Sequence, residues 1–190
     1  SGSYNSAEVA KKIYLEEHPD TNIHVINSLS AGGEVDLIVR KLNQLVAEGL
    51  DFDQVVNAIP SYQSKTKLLF VLAKIDNLVK NGRLSKLIGT VVGLLNIRMV
   101  GEASKTGTLE LLQKARGQKK AIKAAFDELI KAGYNGGHIT IAHRNNEKFI
   151  EQFSELVREK FSQASIEVLP TSGLCSFYAE EGGLLMGYEI

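Results

Sequence analysis

Apolar residues recur along the chain at two spacings, and these spacings predict an alternation of helices and strands. Val9, Ala10, Ile13 and Tyr14 share one face of a helix, because residues three and four positions apart lie on the same side. This helix ends before Pro19, since proline lacks the N–H needed to continue it and restricts the residue before it. The chain is therefore expected to open with an amphipathic helix.

A strand, a loop of small residues and a helix are predicted next. The β-branched run 22–27 (NIHVIN) indicates a buried strand, and Ser28 to Gly33 indicates a loop. Apolar residues then recur at helical spacing over 35–46, and Asp51 begins a shorter helix that Pro60 is expected to close. This order is typical of a parallel α/β sheet, in which ligands bind beyond the carboxyl ends of the strands.

The remainder of the chain combines alternating helices and strands with hairpin-like pairs, which predicts a mixed sheet covered by helices. The predicted strands are 66–73, 97–103, 108–115, 138–143, 165–169 and a last strand through Tyr188. The predicted helices are 75–80, 85–94, 118–131 and 146–161, followed by a Gly-rich loop over 171–183. The expected fold class is two-lobed α/β. Residues 1–64 form part of a parallel-sheet lobe, and residues 65–190 form a second α/β lobe with a mixed sheet.

The first six residues, Ser1 to Ser6 (SGSYNS), place small hydroxyl side chains around a glycine at the start of the first helix. Free backbone N–H groups and the helix dipole favour an anion at such a position. An ordinary serine N-cap is the alternative interpretation. Because such a turn usually follows a strand, we expect the chain to be a fragment that begins within a domain.

Composition and charge narrow the classes of function. Among 190 residues, 22 are basic and 22 acidic, so the balance favours neither nucleic acid nor an anionic membrane as a partner. The single cysteine, Cys175, excludes an internal disulfide and suits a reducing cytoplasm. The longest uncharged apolar stretch, 87–97, is too short to span a bilayer, so no stable membrane insertion is expected.

Three hydroxyl-rich segments and one arginine are the candidate binding residues. The segments are Ser1 to Ser6, Ser28 to Gly33 and Thr171 to Ser176, and the arginine is Arg83, whose guanidinium can bind a carboxylate or phosphate. The sequence contains no Walker loop, nucleophile elbow or metal-ligand spacing. These features favour the binding of a small anionic head group without reaction. A stand-alone phosphotransferase or hydrolase and a regulatory interaction domain are the alternatives.

Five segments occur in an order that resembles a known family. They are SGSYNSA (1–7), VINS with the following Gly-Gly (25–33), LVKNGRLS (78–85), LLNIR (94–98) and ARGQKKA (115–121). They resemble SGTYxSA, a strand ending in Asp-Ser before a Ser/Gly loop, LxxGGRI, LLNIKP and VR(T/G)xKKA of the DegV family of bacterial fatty acid-binding proteins. The resemblance covers essentially the whole chain.

The resemblance implies a lipid carrier without catalytic residues, metal or cofactor. Such a carrier holds a long-chain fatty acid between two lobes and presents its carboxylate to a separate ATP-dependent fatty acid kinase in cytoplasmic phospholipid metabolism. By the same resemblance the chain lacks the family's N-terminal third. The implied head-group residues are Ser1, Gly2, Ser28, Arg83 and Ser172.

Two positions depart from the family pattern. Many members carry THxGPGA in the last loop, where this chain has TSGLCS over 171–176, so Ser172 stands where the family has histidine. Asn27 replaces the aspartate of the Asp-Ser pair. Ser172 is only a weak substitute for the head-group or phosphate role of the family histidine.

Overall fold

The computed structural model describes residues 2–84 and 96–190. Its helices are α1 (Gly2–Glu17), α2 (Gly33–Ala47), α3 (Phe52–Gln63), α4 (Asp76–Lys80), α5 (Gln118–Lys131), α6 (Glu147–Lys160) and α7 (Gly173–Ala179). Its strands are β1 (Thr66–Leu72), β2 (Ile97–Ala103), β3 (Leu109–Arg116), β4 (His138–His143), β5 (Ser165–Pro170) and β6 (Leu184–Glu189). None of the helices in these residues combines the length and apolar character needed to cross a bilayer.

The strands form one six-stranded sheet in the order β3-β2-β1-β6-β4-β5. Only the β4–β5 pair is parallel, and the other four pairs are antiparallel. Strand β6 pairs with β1 on one side and with β4 on the other, so that Met186 lies opposite both Leu69 and Ile141. The predicted mixed sheet with helices on it is confirmed.

Side chains alternate between the two faces of this sheet, because successive residues of a strand point in opposite directions. One face packs against α5 and α6, and we call it the α5–α6 face; its core includes Leu69, Val71, Met186, Phe149 and Phe153. The opposite face carries α2 and α3 over β4, β6 and β1, and α4 with α7 beside them. We call it the α2 face.

Helix α2 begins in direct backbone contact with the sheet. A Cβ added at Gly33 would overlap the carbonyl oxygen of Thr140 and lie 2.7 Å from the amide nitrogen of Gly187. A Cβ at Gly187 would in turn overlap the backbone nitrogen of Glu34. Two glycines that face each other therefore allow the helix N-terminus to rest on β4 and β6 with no side chain between them.

Three element predictions are wrong. Residues 22–27 form no strand, because no neighbouring strand of the described residues pairs with them. Ile26 packs instead beside α2 and α3, and the carbonyl of Asn27 accepts a hydrogen bond from Gln63 (3.1 Å). Helix α3 continues through Pro60, since proline removes one helical hydrogen bond while its carbonyl still accepts from Ser64 (3.1 Å).

The third error is the predicted loop over 171–183, which contains helix α7. No glycine occurs between Gly173 and Gly182, so the intervening apolar run is free to form a helix. The predicted helix 85–94 lies outside the described residues. The capping of α3 by Asp51 is confirmed, with Gln54 completing a reciprocal capping box.

Candidate functional site

The loop from Ser28 to Gly33 lies on the α2 face, directly before α2. Its Gly32 has φ of 57°, and a Cβ there would lie 2.9 Å from Cβ of Leu185 on β6. Leu29 also has a positive φ, 51°, which is uncommon for a residue with a bulky side chain. The loop is therefore held in a backbone shape that its surroundings must impose.

The turn of the β2–β3 hairpin is one of those surroundings. A Cβ at Gly107, in the turn, would lie 2.9 Å from the carbonyl oxygen of Leu29. The hairpin reaches this loop after an irregularity at Val100 and Gly101, where Leu112 of β3 has no partner on β2. Because a bulge bends the strand that contains it, it gives the hairpin a route towards the α2 face.

Glu34 holds the same loop from the other side. Glu34 is 8% exposed, and its carboxylate accepts hydrogen bonds from the Ser30 hydroxyl and from Thr66 Oγ1, the latter at 2.8 Å. Ser28 Oγ accepts from the backbone N–H of Ser30 at 3.3 Å and lies 3.4 Å from its carbonyl oxygen. These contacts tie the loop to the start of β1.

Arg83 and Ser172 lie at two neighbouring short helices, α4 and α7. The exposed Arg83 guanidinium stands over the ring of Tyr178 on α7, 5.9 Å from its centroid. Asn77 of α4 joins the two helices by donating its backbone N–H to Glu180 at 2.8 Å. Ser172 is the N-cap residue of α7, exposed, and its side chain makes no capping hydrogen bond.

An apolar cluster separates the Ser28–Gly33 loop from these helices, and we call it the site cluster. Its buried members are Phe70, Leu72, Ile75, Leu78, Met99 and Ala179. Half-buried apolar side chains pack against it, namely Leu84, Ile97, Leu109, Leu111, Tyr178 and Leu185. Because Leu185 contacts Gly32 and Tyr178 contacts Arg83, both polar regions border the same apolar surface.

The structure brings only some of the predicted head-group residues towards this surface. Arg83 borders it through Tyr178, and Ser28 belongs to the loop that meets it at Gly32. Ser172 begins α7, whose Tyr178 and Ala179 at the other end of the helix are part of it. No hydrogen bond in the described part of the chain links these three residues to one another. Ser1 lies outside the described residues. Gly2 is the exposed first residue of α1, a helix with no buried residue, and no heavy atom approaches within 4 Å of where its Cβ would be.

One described cleft lies apart from the hydroxyl-rich segments. It has a volume of about 500 Å³ and is lined by Lys74, Arg98 and Lys148, by Glu147 and Glu181, and by amide side chains. Cations and carboxylates thus line it together. None of the described residues of the three hydroxyl-rich segments contributes to it. Within residues 2–84 and 96–190, no cluster of three or more His, Cys, Asp or Glu side chains is arranged to hold a metal ion.

Two tyrosines, Tyr188 buried on the α5–α6 face and Tyr62 half-buried on α3, remain protonated at neutral pH. Burial, with smaller contributions from Glu102, Glu34 and Glu128, raises the pKa of Tyr188 above its usual value. Burial and the hydrogen bond that Tyr62 donates to Glu189 (2.9 Å) raise the pKa of Tyr62 as well. Neither phenol therefore carries a negative charge at neutral pH.

Two residues of the site were missed by the sequence analysis. Glu34 follows two glycines and reads as an ordinary acidic residue in the first turn of a helix, where such residues are common. Tyr178 lies in the segment that was predicted to be a loop. The contact between Glu34 and Ser30 could have been suspected from the sequence, because the carboxylate follows the serine by four residues.

Comparison with known proteins gives consistent matches over the whole chain. A family model described as "uncharacterised protein, DegV family" matches residues 1–188. A DegV domain-containing protein of Streptococcus gordonii is 76% identical over 190 residues, which is 100% of this chain and 68% of that protein. The chain thus spans about two thirds of the length of this relative.

Solved structures are similar as well. One is the Fatty Acid Kinase (Fak) B3 protein of Streptococcus pneumoniae loaded with linoleic acid, with a TM-score of 0.97 and 76% identity over 100% of this chain and 68% of that one. Another is a DegV family protein of Eubacterium eligens loaded with heptadecanoic acid, with a TM-score of 0.95 and 39% identity over the same shares.

Proposed function

The chain belongs to the DegV family, and on that premise we propose that it binds a long-chain fatty acid. The acyl chain lies on the site cluster, and the carboxylate lies among Ser28, Arg83 and Ser172, with Ser1 and Gly2 as further head-group residues. The observation that carries the proposal is the half-buried apolar surface of the α2 face, which has a serine-containing loop on one side and an arginine on the other. The fatty acids bound to the two similar structures support it.

The energetics of such a site are consistent with retention of a lipid. Each buried methylene contributes about 0.8 kcal/mol, so the acyl chain supplies most of the affinity. An ionised carboxylate costs several kcal/mol to bury unless it is paired and hydrogen-bonded. Serine hydroxyls and the Arg83 guanidinium offset that cost and fix the orientation of the lipid.

In this proposal residues 1–64 and 65–190 belong to the two lobes between which the lipid lies. In this division the contact of Gly32 with Leu185 lies where the two segments meet, at the border of the site cluster. The same proposal places the protein in the cytoplasm, with no cofactor other than the lipid ligand.

We further propose that the chain is a carrier and that a separate ATP-dependent fatty acid kinase performs the chemistry. A carboxylate oxygen attacks the γ-phosphorus of ATP, the bond to the bridging oxygen breaks, and acyl phosphate and ADP result. The name of the S. pneumoniae relative supports a kinase partner. With ATP and oleic acid, the carrier alone should form no ADP, and addition of a fatty acid kinase should produce it. ADP formation by the carrier alone would favour the phosphotransferase alternative.

Mass spectrometry of solvent-extracted ligand tests the binding itself. A near-stoichiometric fatty acid should be recovered from the full-length protein and be missing from a mock purification. A protein that is empty and also takes up no added fatty acid would contradict the proposal.

Replacing Arg83 with glutamine tests the head-group position. The affinity for oleic acid should fall about tenfold, because a hydrogen bond to a charged group contributes about 1.5–3 kcal/mol. The affinity for oleyl alcohol, which carries no charge, should change little. Arg158→Gln is the matched control, since Arg158 is an exposed arginine in the last turn of α6 on the opposite face. Equal losses for both lipids would place Arg83 outside the head-group site.

A further inference from the structure

Two carboxylates of similar burial lie on opposite faces of the sheet. Glu34 and Glu128 are each 8% exposed. Glu128, on the α5–α6 face, accepts from Gln113 Nε2 at 2.6 Å and has Lys131 Nζ at 3.6 Å. Glu34, on the α2 face, has no cation within ion-pair distance among the described residues, and its carboxylate accepts hydrogen bonds from two hydroxyls.

One of those two hydroxyls belongs to the Ser28–Gly33 loop and the other to β1. Ser30 belongs to the loop, and Thr66 is the first residue of β1. Thr66 Oγ1 lies 2.8 Å from Glu34 and 3.2 Å from the carbonyl oxygen of Gln63, so its single proton is directed to the shorter contact. Glu34 is itself fixed, because the preceding Gly33 rests on the backbone of β4 and β6.

The hydroxyl protons of Ser28 and Ser30 therefore differ in how strongly they are hydrogen-bonded within the protein. The Ser30 proton is engaged by the carboxylate, and Ser30 has no second proton to offer a ligand. Ser28 Oγ lies 3.4 Å from the carbonyl oxygen of Ser30, beyond the range of about 2.5–3.0 Å typical of hydroxyl donors. The hydrogen bond that Ser28 donates to this carbonyl is therefore weak, and a closer acceptor can take its proton.

We propose that Glu34 is the positioning residue of the Ser28–Gly33 loop: its buried carboxylate binds the hydroxyls of Ser30 and Thr66, fixes the loop to β1 and leaves Ser28 to donate to an acidic head group. This inference rests on the proposed function. It also bears on the positive φ of Leu29, since Ser28 is linked to Ser30 across that residue and Ser30 is in turn held by Glu34.

The test compares oleic acid with oleyl alcohol, which differ in the head group alone. In Glu34→Ala the affinity for oleic acid should fall about tenfold, and the affinity for oleyl alcohol should stay within about twofold of wild type. If Glu34 had a purely structural role, the variant would lose affinity for both lipids equally. If the carboxylate acted only by repelling the anionic head group, its removal would strengthen the binding of oleic acid; either result overturns the inference.

Glu128→Ala is the matched control, because it removes a carboxylate of equal burial from the opposite face. Its acid-to-alcohol affinity ratio should equal that of wild type even if its melting temperature falls as far as that of Glu34→Ala. Ser30→Ala and Glu34→Gln keep the test decisive if Glu34→Ala does not fold, and both should lower the ratio. A wild-type protein that binds neither lipid would overturn the proposed function as well, whereas wild-type binding with an unchanged ratio in these variants overturns only the role of Glu34.

Discussion

Replacement of Gly33 by alanine should lower the free energy of unfolding by about 3 kcal/mol or more. The added methyl would overlap the carbonyl oxygen of Thr140 and approach the amide nitrogen of Gly187, and both belong to hydrogen-bonded strands in the middle of the sheet. A side chain could rotate away from such an overlap, but backbone atoms cannot. Helix α2 must lift, and Glu34 and the loop before it then lose their position.

Thermal unfolding followed by circular dichroism measures this effect. For a chain of this size, such a loss corresponds to a fall in Tm of about 6–12 °C. Gly2→Ala is the control for stability, because Gly2 is also at the start of a helix and has no heavy atom within 4 Å of its added Cβ. If Gly33→Ala melts within about 2 °C of wild type, the close packing of α2 on the sheet is incorrect.

Replacement of Leu111 by aspartate should lower the affinity for a long-chain fatty acid about 30-fold. Leu111 is half-buried and packs against the site cluster, so a carboxylate there would keep water beside the acyl chain. Loss of contact with two or three methylenes, at about 0.8 kcal/mol each, amounts to about 2 kcal/mol, and each 1.4 kcal/mol is about tenfold in affinity. Unlike Arg83→Gln, this change should weaken oleic acid and oleyl alcohol alike.

The next residue along the strand provides the control. Leu112 is 36% exposed and is the extra residue of the β3 irregularity, so Leu112→Asp adds the same charge beside the site without entering it. Displacement of a fluorescent fatty acid measures both variants. Equal affinities for the two variants would mean that the acyl chain does not contact the site cluster.

Much of the sheet was predictable because its signals are local. Apolar residues at period two fixed strands such as 138–143, and the long amphipathic pattern over 118–131 gave helix α5 with both of its ends. The strand predicted over 22–27 was wrong for a physical reason. The segment has the composition of a strand, but a strand forms only where a neighbouring strand pairs with it. Composition shows that a segment can adopt a strand conformation, but it does not show whether another strand lies beside it.

The candidate site was less predictable, because it depends on side chains that are distant in sequence. The β3 strand is the clearest case. Ala115 and Leu111 are four residues apart, so in a regular strand their side chains would face the same side of the sheet. Ala115 instead packs on the α5–α6 face and Leu111 on the α2 face, because the irregularity at Leu112 shifts the pairing by one residue. No feature of the sequence near Leu112 marks this shift, and it decides which leucines face the site.

The position of β6 has a consequence for how the molecule is made. Although it follows the other five described strands along the chain, it lies between β1 and β4 and pairs with both. During synthesis, the edges of β1 and β4 that pair with β6 stay unpaired until residues 184–189 have been made. Open strand edges are templates for pairing with other chains. The nascent sheet should therefore be most prone to aggregation, and most dependent on chaperones, just before β6 is available.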